Sequence, residues 1–443
     1  MGKYFGTDGV RGLAGQKLNS SLAFRIGRFI GQYPGGKKNR ILIGCDTRLS
    51  CDMLKTAIVS GILASGSDAY LLDVTTTPSI SYLVVKKGYD YGVMISASHN
   101  PYYDNGIKVF NRQGEKLDSK IEKLIEDYID SPTDFLPLRM NEFFGRMVPS
   151  VDLVDEYVDF LASKARDLGH LKVLVDGANG SASLVAPKLF KKLGIQANYI
   201  NIHPNGININ DRCGSTHLGQ LVLEMKKNGY DIGLAFDGDA DRLLIVRHGG
   251  QVVDGDAILY LAAVDMQKRG VLKENTVVAT VMSNIGLKIA LKKHNMRVKE
   301  VQVGDKYVQA CLKEQNLPLG GEQSGHIIFL QDLNTGDGLL TAIKVMNILV
   351  STGKPLEELL GDLKIYPQAL KNVSVANKEA VLAHGGLQSL IDELETTLGD
   401  TGRILVRASG TESLVRIMAE APTFEECDRV VSALVNYINE ISY

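Results

Sequence analysis

The chain has 443 residues, enough for three or four domains at about 150 residues each. Hydrophobic residues make up 44% and charged residues 23%, so ample apolar surface can be buried and disorder is excluded as the dominant state. The formal net charge of −2 excludes a basic field for nucleic acid, and no polybasic segment is present to attract a membrane.

In chain order, residues 41–45, 70–74 and 91–95 are nearly continuous apolar runs, the pattern of strands covered on both faces. A helical spacing lies between the first two, over 52–64. The pattern returns with strands at 172–175, 231–236 and 243–246 and helices at 182–193 and 218–227. A third round has strands at 277–281, 298–303 and 326–329 with helices at 285–293 and 306–314. Such alternation predicts α/β units with mixed, largely parallel sheets. The tail differs: 403–407 and 415–420 read as a strand pair around a turn. Thr423 with Glu426 then makes a capping box, ahead of Cys427, Val430, Val431, Leu434, Val435 and Ile438 at helical spacing. The expected domains are 1–150, 151–253, 254–366 and a smaller α+β domain over 367–443, around a central cleft.

No run of 18 apolar residues is present, and the opening Met1–Gly6 segment lacks a signal-peptide core, while Gly6 breaks the myristoylation pattern. Five cysteines without CxxC spacing read as reduced, buried thiols rather than a disulfide framework or zinc ribbon. A cytoplasmic protein is expected.

Four polar, glycine-rich loops carry chemistry. Ser96-Ala97-Ser98-His99-Asn100-Pro101 follows a buried strand and places a hydroxyl where α/β proteins bind ligands. It continues to Asn105-Gly106-Ile107-Lys108, where Asn-Gly reads as a turn. A Ser-His-Asp triad is not expected, since sequence neighbours rarely face each other as nucleophile and base. Lys108 is either a surface lysine or a proton-transfer group whose pKa falls among apolar neighbours in a closed site. Asp237-Gly238-Asp239-Ala240-Asp241-Arg242 sets three carboxylates at alternate positions, which repel unless a cation or protons compensate. Oxygen-only donors suit a hard cation, Mg²⁺ where the substrate brings phosphate. An EF-hand calcium loop is excluded by Arg242 and His248 at its sixth and twelfth places. Gly320-Gly321-Glu322-Gln323-Ser324-Gly325-His326 reads as a loop able to hydrogen-bond hydroxyls, or simply as a connection between strands. Arg407-Ala408-Ser409-Gly410-Thr411-Glu412, with Arg416, makes a phosphate cradle or a plain hairpin. Arg11 in Gly6-Thr7-Asp8-Gly9-Val10-Arg11-Gly12 is placed to meet an anion. Neither of these last two has P-loop spacing, so nucleotide binding is not indicated. The four loops fall one per expected domain, which suggests a single site assembled from all of them.

The ordered set GTDGVRG, SASHNPYYDNGIK, DGDADR, GEQSGH and RASGTES resembles the α-D-phosphohexomutases over residues 4 to about 420. GTDGVRG, SASHNP and GEQSGH resemble most the bacterial branch acting on glucosamine phosphates. The resemblance implies that Ser98 carries a phosphoryl group and that Asp237, Asp239 and Asp241 hold one Mg²⁺ together with the phosphate on Ser98. It implies that Glu322 and Ser324 read sugar hydroxyls, and that Arg407, Ser409, Gly410, Thr411 and Arg416 hold the non-reacting phosphate. Lys108 falls at a general acid/base, Arg11 and Arg242 at phosphate-stabilising positions, His99 beside the nucleophile, and His326 beside the sugar loop. Ser413 departs from the proline usual after SGTE. It loosens a turn and removes no donor.

The implied activity moves a phosphoryl group between O6 and O1 of glucosamine through a 1,6-bisphosphate, which also serves as activator, and so supplies UDP-N-acetylglucosamine synthesis. The fourth domain is expected to close over the substrate, and the chain to be a monomer or homodimer. Alternatives are a glucose- or mannose-phosphate mutase, a Mg²⁺ phosphatase with Asp237 as nucleophile, and a non-catalytic sugar-phosphate sensor.

Overall fold

The computed structural model describes residues 2–35, 37–227, 229–409 and 413–442. The chain divides into a larger unit, Met1–Met282 with Val298–Leu360, and a smaller one, Ser283–Arg297 with Gly361–Tyr443.

The larger unit holds three sheets. The first runs, edge to edge, Phe5–Gly6, Gly9–Leu13, Asp104–Phe110, Tyr91–Ile95, Arg40–Cys45, Asp68–Val74 and Met147–Pro149. Its pairs are parallel from Tyr91–Ile95 to the last strand and antiparallel on the other side. Asn105-Gly106, expected as a turn, lies inside the strand Asp104–Phe110. Gly106 is needed there because a Cβ would strike the Ser96 carbonyl, and Asn105 turns its amide to Ser50 Oγ at 2.8 Å.

Beneath this sheet, helices Ser20–Gln32 and Cys51–Ala64 approach closely at two glycines: a Cβ on Gly27 would meet the Ile58 carbonyl, and one on Gly61 the Phe24 carbonyl. That crossing buries Arg28, which is 1% exposed. It donates to Asp134 Oδ2 (2.9 Å), Asp134 Oδ1 (3.2 Å), Ser65 Oγ (3.1 Å) and the Leu136 carbonyl (3.1 Å). Arg28→Met leaves the buried Ser65 Oγ, the partly buried Leu136 carbonyl and the part-exposed Asp134 carboxylate without this donor. It is expected to destabilise the protein by about 3 kcal/mol, read as an earlier urea midpoint.

The second sheet orders Val252–Val253, Leu243–Arg247, Ile232–Phe236, Lys172–Asp176 and Gln196–Ile200, and the third Arg297–Val301, Thr276–Thr280, Leu319–Gly321 and Ile327–Phe329. Gly320-Gly321 is therefore strand, not loop: a Cβ on Gly320 would sit 2.9 Å from the Val278 Cβ of the neighbouring strand. The loop proper is 322–326.

Helix Gly338–Thr352 is capped by Asp337, whose Oδ1 accepts from Leu340 N at 2.9 Å and whose Oδ2 accepts from Tyr157 Oη at 2.8 Å. Burial raises the Asp337 pKa to about 6, although these hydrogen bonds favour the charged form. A folded-state pKa above the unfolded value of about 3.9 means the folded chain holds the extra proton between pH 4 and 6. Asp337 thus favours folding at low pH and costs about 3 kcal/mol once pH has risen through 6. Asp337→Asn keeps the cap without the charge. Its stability relative to wild type is expected to climb from pH 4 to 6 and stay level above, in urea melts across that range.

In the smaller unit, Gln368–Ser374, Leu414–Glu420 and Arg403–Ala408 form an antiparallel sheet with Leu414–Glu420 in the centre. The first strand carries no apolar run to announce it. Helix Phe424–Ile441 begins with the expected capping box and buries Cys427, Val430, Val431, Leu434 and Ile438 against the sheet. Helix Ile285–Lys293 packs in this unit: Glu420 accepts from Asn284 Nδ2 (3.0 Å) and Ile285 N (2.9 Å). All five cysteines are buried and free. Among the described residues no helix is long and apolar enough to cross a membrane.

Candidate active site

Strands Tyr91–Ile95 and Ile232–Phe236 are buried throughout, and the loops that leave them converge. Ser98 Oγ donates to Asp237 Oδ2 at 2.5 Å, with both residues 1% exposed. Ser98 has φ +52°, the left-handed region that costs a non-glycine residue about 1 kcal/mol or more.

Asp237, Asp239 and Asp241 each present an oxygen within 4.8 Å of the other two. Asp239 Oδ1 and Asp241 Oδ1 are buried and accept no hydrogen bond among the described residues. Burial, then repulsion from Asp241 and Asp239, pushes the Asp237 carboxyl well above its ordinary pKa. Burial works the same way on Asp241, but Lys108 and His326 outweigh it and hold that group well below. Hard oxygens with unsatisfied lone pairs and mutual repulsion fit a divalent cation.

Lys108 is neither at the surface nor among apolar neighbours. Its Nζ lies 2.8 Å from Asp239 Oδ2, 3.0 Å from Asp8 Oδ2 and 3.4 Å from Asp241 Oδ2. Burial alone would lower its pKa, but the three carboxylates raise it well above the ordinary value. The surroundings thus differ from both expectations: Lys108 is a buried cation ion-paired to carboxylates.

His99 also departs from expectation, since its Nδ1 turns back to within 3.4 Å of Ser98 Oγ. The same nitrogen faces Arg242 Nη1 at 3.2 Å, and burial followed by the Arg242 and Arg11 charges lowers its pKa to about 4. No triad results, because the carboxylate contacts the serine instead of the imidazole. Arg242 N donates to Asp237 Oδ1 at 3.1 Å, and Arg11 pairs with Asp8. His326 Nε2 accepts from Gly336 N at 3.0 Å, which leaves Nδ1 facing Asp241 at 3.7 Å.

Of these groups Arg11, His99, Asp241, Arg242 and His326 line a cavity of about 390 Å³, together with Glu322, Tyr4, residues 6–9 and residues 303–305, whereas Ser98, Lys108, Asp237 and Asp239 are not in its lining. That volume suits a small ligand. Glu322 Oε1 accepts from Gly304 N at 3.0 Å. Ser324 does not line this cavity, although its Oγ is buried without a hydrogen-bond partner among the described residues.

In the smaller unit Arg407 and Arg416 are cross-strand partners, and burial plus the neighbouring Arg416 charge lowers the Arg407 pKa. Two guanidinium groups set side by side favour an anion between them. Ser409 is buried, and its carbonyl accepts from Lys378 Nζ at 2.8 Å. Gly410 and Thr411 lie outside the described residues.

Several contributors escaped sequence reasoning. Asp8 meets Arg11, Lys108 and Lys116, and these cations hold its carboxyl well below the ordinary range against the effect of burial. Lys116 also pairs with Asp305. Thr77 donates to Asp239, and Arg48 and Asn210 reach the backbone of the Ser98 loop. Asp8 belongs to the Gly6–Gly12 motif that also holds Arg11. The others come from stretches whose composition is unremarkable, and only the fold brings them in.

Four phosphoglucomutase/phosphomannomutase domain families match the chain in order: the alpha/beta/alpha domain I over residues 2–134, domain II over 155–250, domain III over 254–366, and the C-terminal domain over 370–436. The chain is 48% identical over 437 residues to a phosphoglucosamine mutase of Lachnoclostridium phytofermentans, covering 98% of both sequences. It is 47% identical over 443 residues to one of Anoxybacillus flavithermus, covering 99% of both. In fold it resembles a phosphoglucomutase/phosphomannomutase family protein of Burkholderia thailandensis (TM-score 0.81, 24% identity, 100% of this chain and 99% of that one). It also resembles the Aspergillus fumigatus N-acetylphosphoglucosamine mutase crystallised with GlcNAc-6P and magnesium (TM-score 0.72, 20% identity, 99% and 96%).

Proposed function

This chain belongs to the phosphoglucomutase/phosphomannomutase family, and on that premise we propose that it interconverts glucosamine 6-phosphate and glucosamine 1-phosphate. The observation that carries the mutase reading is Ser98 Oγ, 2.5 Å from Asp237 in a buried three-carboxylate cluster beside a cavity bearing Arg11 and Arg242. The amino sugar is favoured by the near-half identity, over full length, to the phosphoglucosamine mutases named above.

In the forward direction the phosphoryl group on Ser98 passes to O1 of glucosamine 6-phosphate. The Oγ–P bond breaks, an O1–P bond forms, the proton lost from the O1 hydroxyl is balanced by the one Oγ takes up as it leaves, and a 1,6-bisphosphate results. After the intermediate turns over, Oγ takes the phosphoryl group from O6, and glucosamine 1-phosphate leaves. Asp237, Asp239 and Asp241 are the residues that would hold Mg²⁺. When bound, the ion supplies Lewis-acid stabilisation of charge on the transferring group. Arg11 and Arg242 face the cavity as fixed cations for phosphate oxygens.

Lys108, ion-paired to Asp239, Asp8 and Asp241, is the ammonium placed to exchange a proton at this site, and His99, its pKa lowered to about 4 by burial and the Arg242 and Arg11 charges, faces Ser98 Oγ as a neutral imidazole at pH 7. When Oγ takes back a phosphoryl group, Asp237 (2.5 Å) and His99 (3.4 Å) are within reach of the proton it gives up. Glu322, with one carboxylate oxygen on Gly304 N, keeps the other for a sugar hydroxyl. Ser324, and in the fourth segment Arg407, Ser409, Gly410, Thr411 and Arg416, complete the reading as sugar and non-reacting phosphate contacts. The same reading places the enzyme in the cytoplasm with a sugar 1,6-bisphosphate as activator.

A phosphorus NMR turnover assay tests this. Protein, Mg²⁺ and a trace of sugar 1,6-bisphosphate are given glucosamine, glucose or mannose 6-phosphate in parallel. The 1-phosphate signal is expected to grow fastest from glucosamine. Faster glucose or mannose conversion would change the substrate, and inorganic phosphate alone would mean a phosphatase.

A further inference from the structure

The Ser98 carbonyl is held from two directions. Arg48, whose side chain is fully buried, pairs through Nε with Asp46 Oδ2 at 2.9 Å. Its Nη2 donates to the carbonyls of Ser98 and Asn100, both at 2.8 Å. Its Nη1 donates to the carbonyls of Pro101 and, at 3.0 Å, Asp104. The guanidinium thus uses its planar fork on backbone oxygens spread over one loop, a geometry a lysine ammonium does not reproduce. From the second-sheet side, Asn210 Nδ2 donates to the same two carbonyls, Ser98 at 2.8 Å and Asn100 at 3.0 Å. Asn210 is 7% exposed and is itself held by a bond from its N–H to the Ala178 carbonyl at 2.9 Å. The metal loop closes the remaining space: a Cβ on Gly238 would lie 2.5 Å from the Ser98 carbonyl oxygen.

A serine at φ +52° persists only where its surroundings over-determine it. We propose that Arg48 and Asn210 are positioning residues of the nucleophile, clamping the Ser98 and Asn100 carbonyls so that the left-handed backbone at Ser98 aims Oγ into the carboxylate cluster. The chemistry of the clamp is that of carbonyl acceptors facing an ion-paired guanidinium and a fixed amide. It reaches neither the cavity nor the carboxylates, so its loss moves the nucleophile and leaves substrate contacts in place. This rests on the reading of Ser98 as the phosphoryl carrier, which Ser98→Ala tests separately.

The experiment is steady-state kinetics with glucosamine 6-phosphate on wild type, Arg48→Lys, Asn210→Ala and the double variant, each fully phosphorylated by intact mass. Asn210→Ala leaves the buried Arg48–Asp46 pair intact, so it remains informative if Arg48→Lys folds poorly. Each single variant is expected to lose about 10- to 100-fold in kcat, with KM within about twofold, because displacement of a reacting atom by about 1 Å costs rates of that order. The double variant is expected to fall by less than the product of the singles, since both side chains serve the same two acceptors. Unchanged kcat in Asn210→Ala, or a loss confined to KM or to melting temperature, overturns the clamp. Full activity in Ser98→Ala overturns instead the reading on which it rests.

Discussion

Ser98→Ala is expected to lower the mutase rate by about 10⁴-fold or more while leaving the protein folded. The hydroxyl is the acceptor and donor of the phosphoryl group in this reading, and removing a covalent nucleophile costs rates of that order. Stability should fall by about 1 to 3 kcal/mol, the cost of leaving a buried acceptor without its donor. The variant gives up one hydrogen bond to Asp237, and alanine meets the same left-handed backbone cost as serine. The assay is 1-phosphate formation by phosphorus NMR, with intact mass confirming that no phosphoryl group is carried. A phosphatase with Asp237 as nucleophile would keep its activity in this variant, so retained turnover sinks the serine mechanism.

The second large effect concerns the carboxylates. Chelation of divalent cations is expected to lower turnover by at least about 10³-fold, because charge on the transferring phosphoryl group is what most needs stabilising. A readout independent of turnover is thermal stability. At 100 times its dissociation constant, Mg²⁺ should stabilise the wild type by about 2.7 kcal/mol. The Asp239→Asn/Asp241→Asn double variant should lose that increment, because it replaces two of the three clustered carboxylates. An equal Mg²⁺ shift in both proteins would place the cation elsewhere.

Helices such as Ser20–Gln32, Gly255–Lys268 and Gly338–Thr352 were not legible in the residues themselves. The alternating strands and helices of residues 41–95, 172–246 and 277–329, the capping box at Thr423 and the carboxylate loop at 237–241 were. Each is a local pattern: apolar runs for strands buried on both faces, a hydroxyl and a glutamate one turn apart, and alternate aspartates that repel without a cation. The strand Gln368–Ser374 was not legible, because its residues are chosen by a partner strand and carry no apolar run. Asn105-Gly106 and Gly320-Gly321 were misread for a related reason. Glycine marks a turn in isolation, but here it marks a place where two backbones or a neighbouring strand come too close for a Cβ.

The chemistry of the site divides in the same way. The order of residues by itself determined that the chain carries a serine loop, three alternate aspartates, a polar glycine-rich loop and an arginine loop. Whether Lys108 is charged, whether His99 is neutral and which way Ser98 points depend on distances of a few ångströms across hundreds of residues. Asp8 lies 100 positions from Lys108 and Asp239 lies 131, yet both are ion-paired to it. Coulomb energy and desolvation are functions of separation in space and burial, neither of which is written into local sequence. Only the tertiary structure could decide that the lysine is a trapped cation, and that Arg48 and Asn210 hold the serine beside its carboxylates.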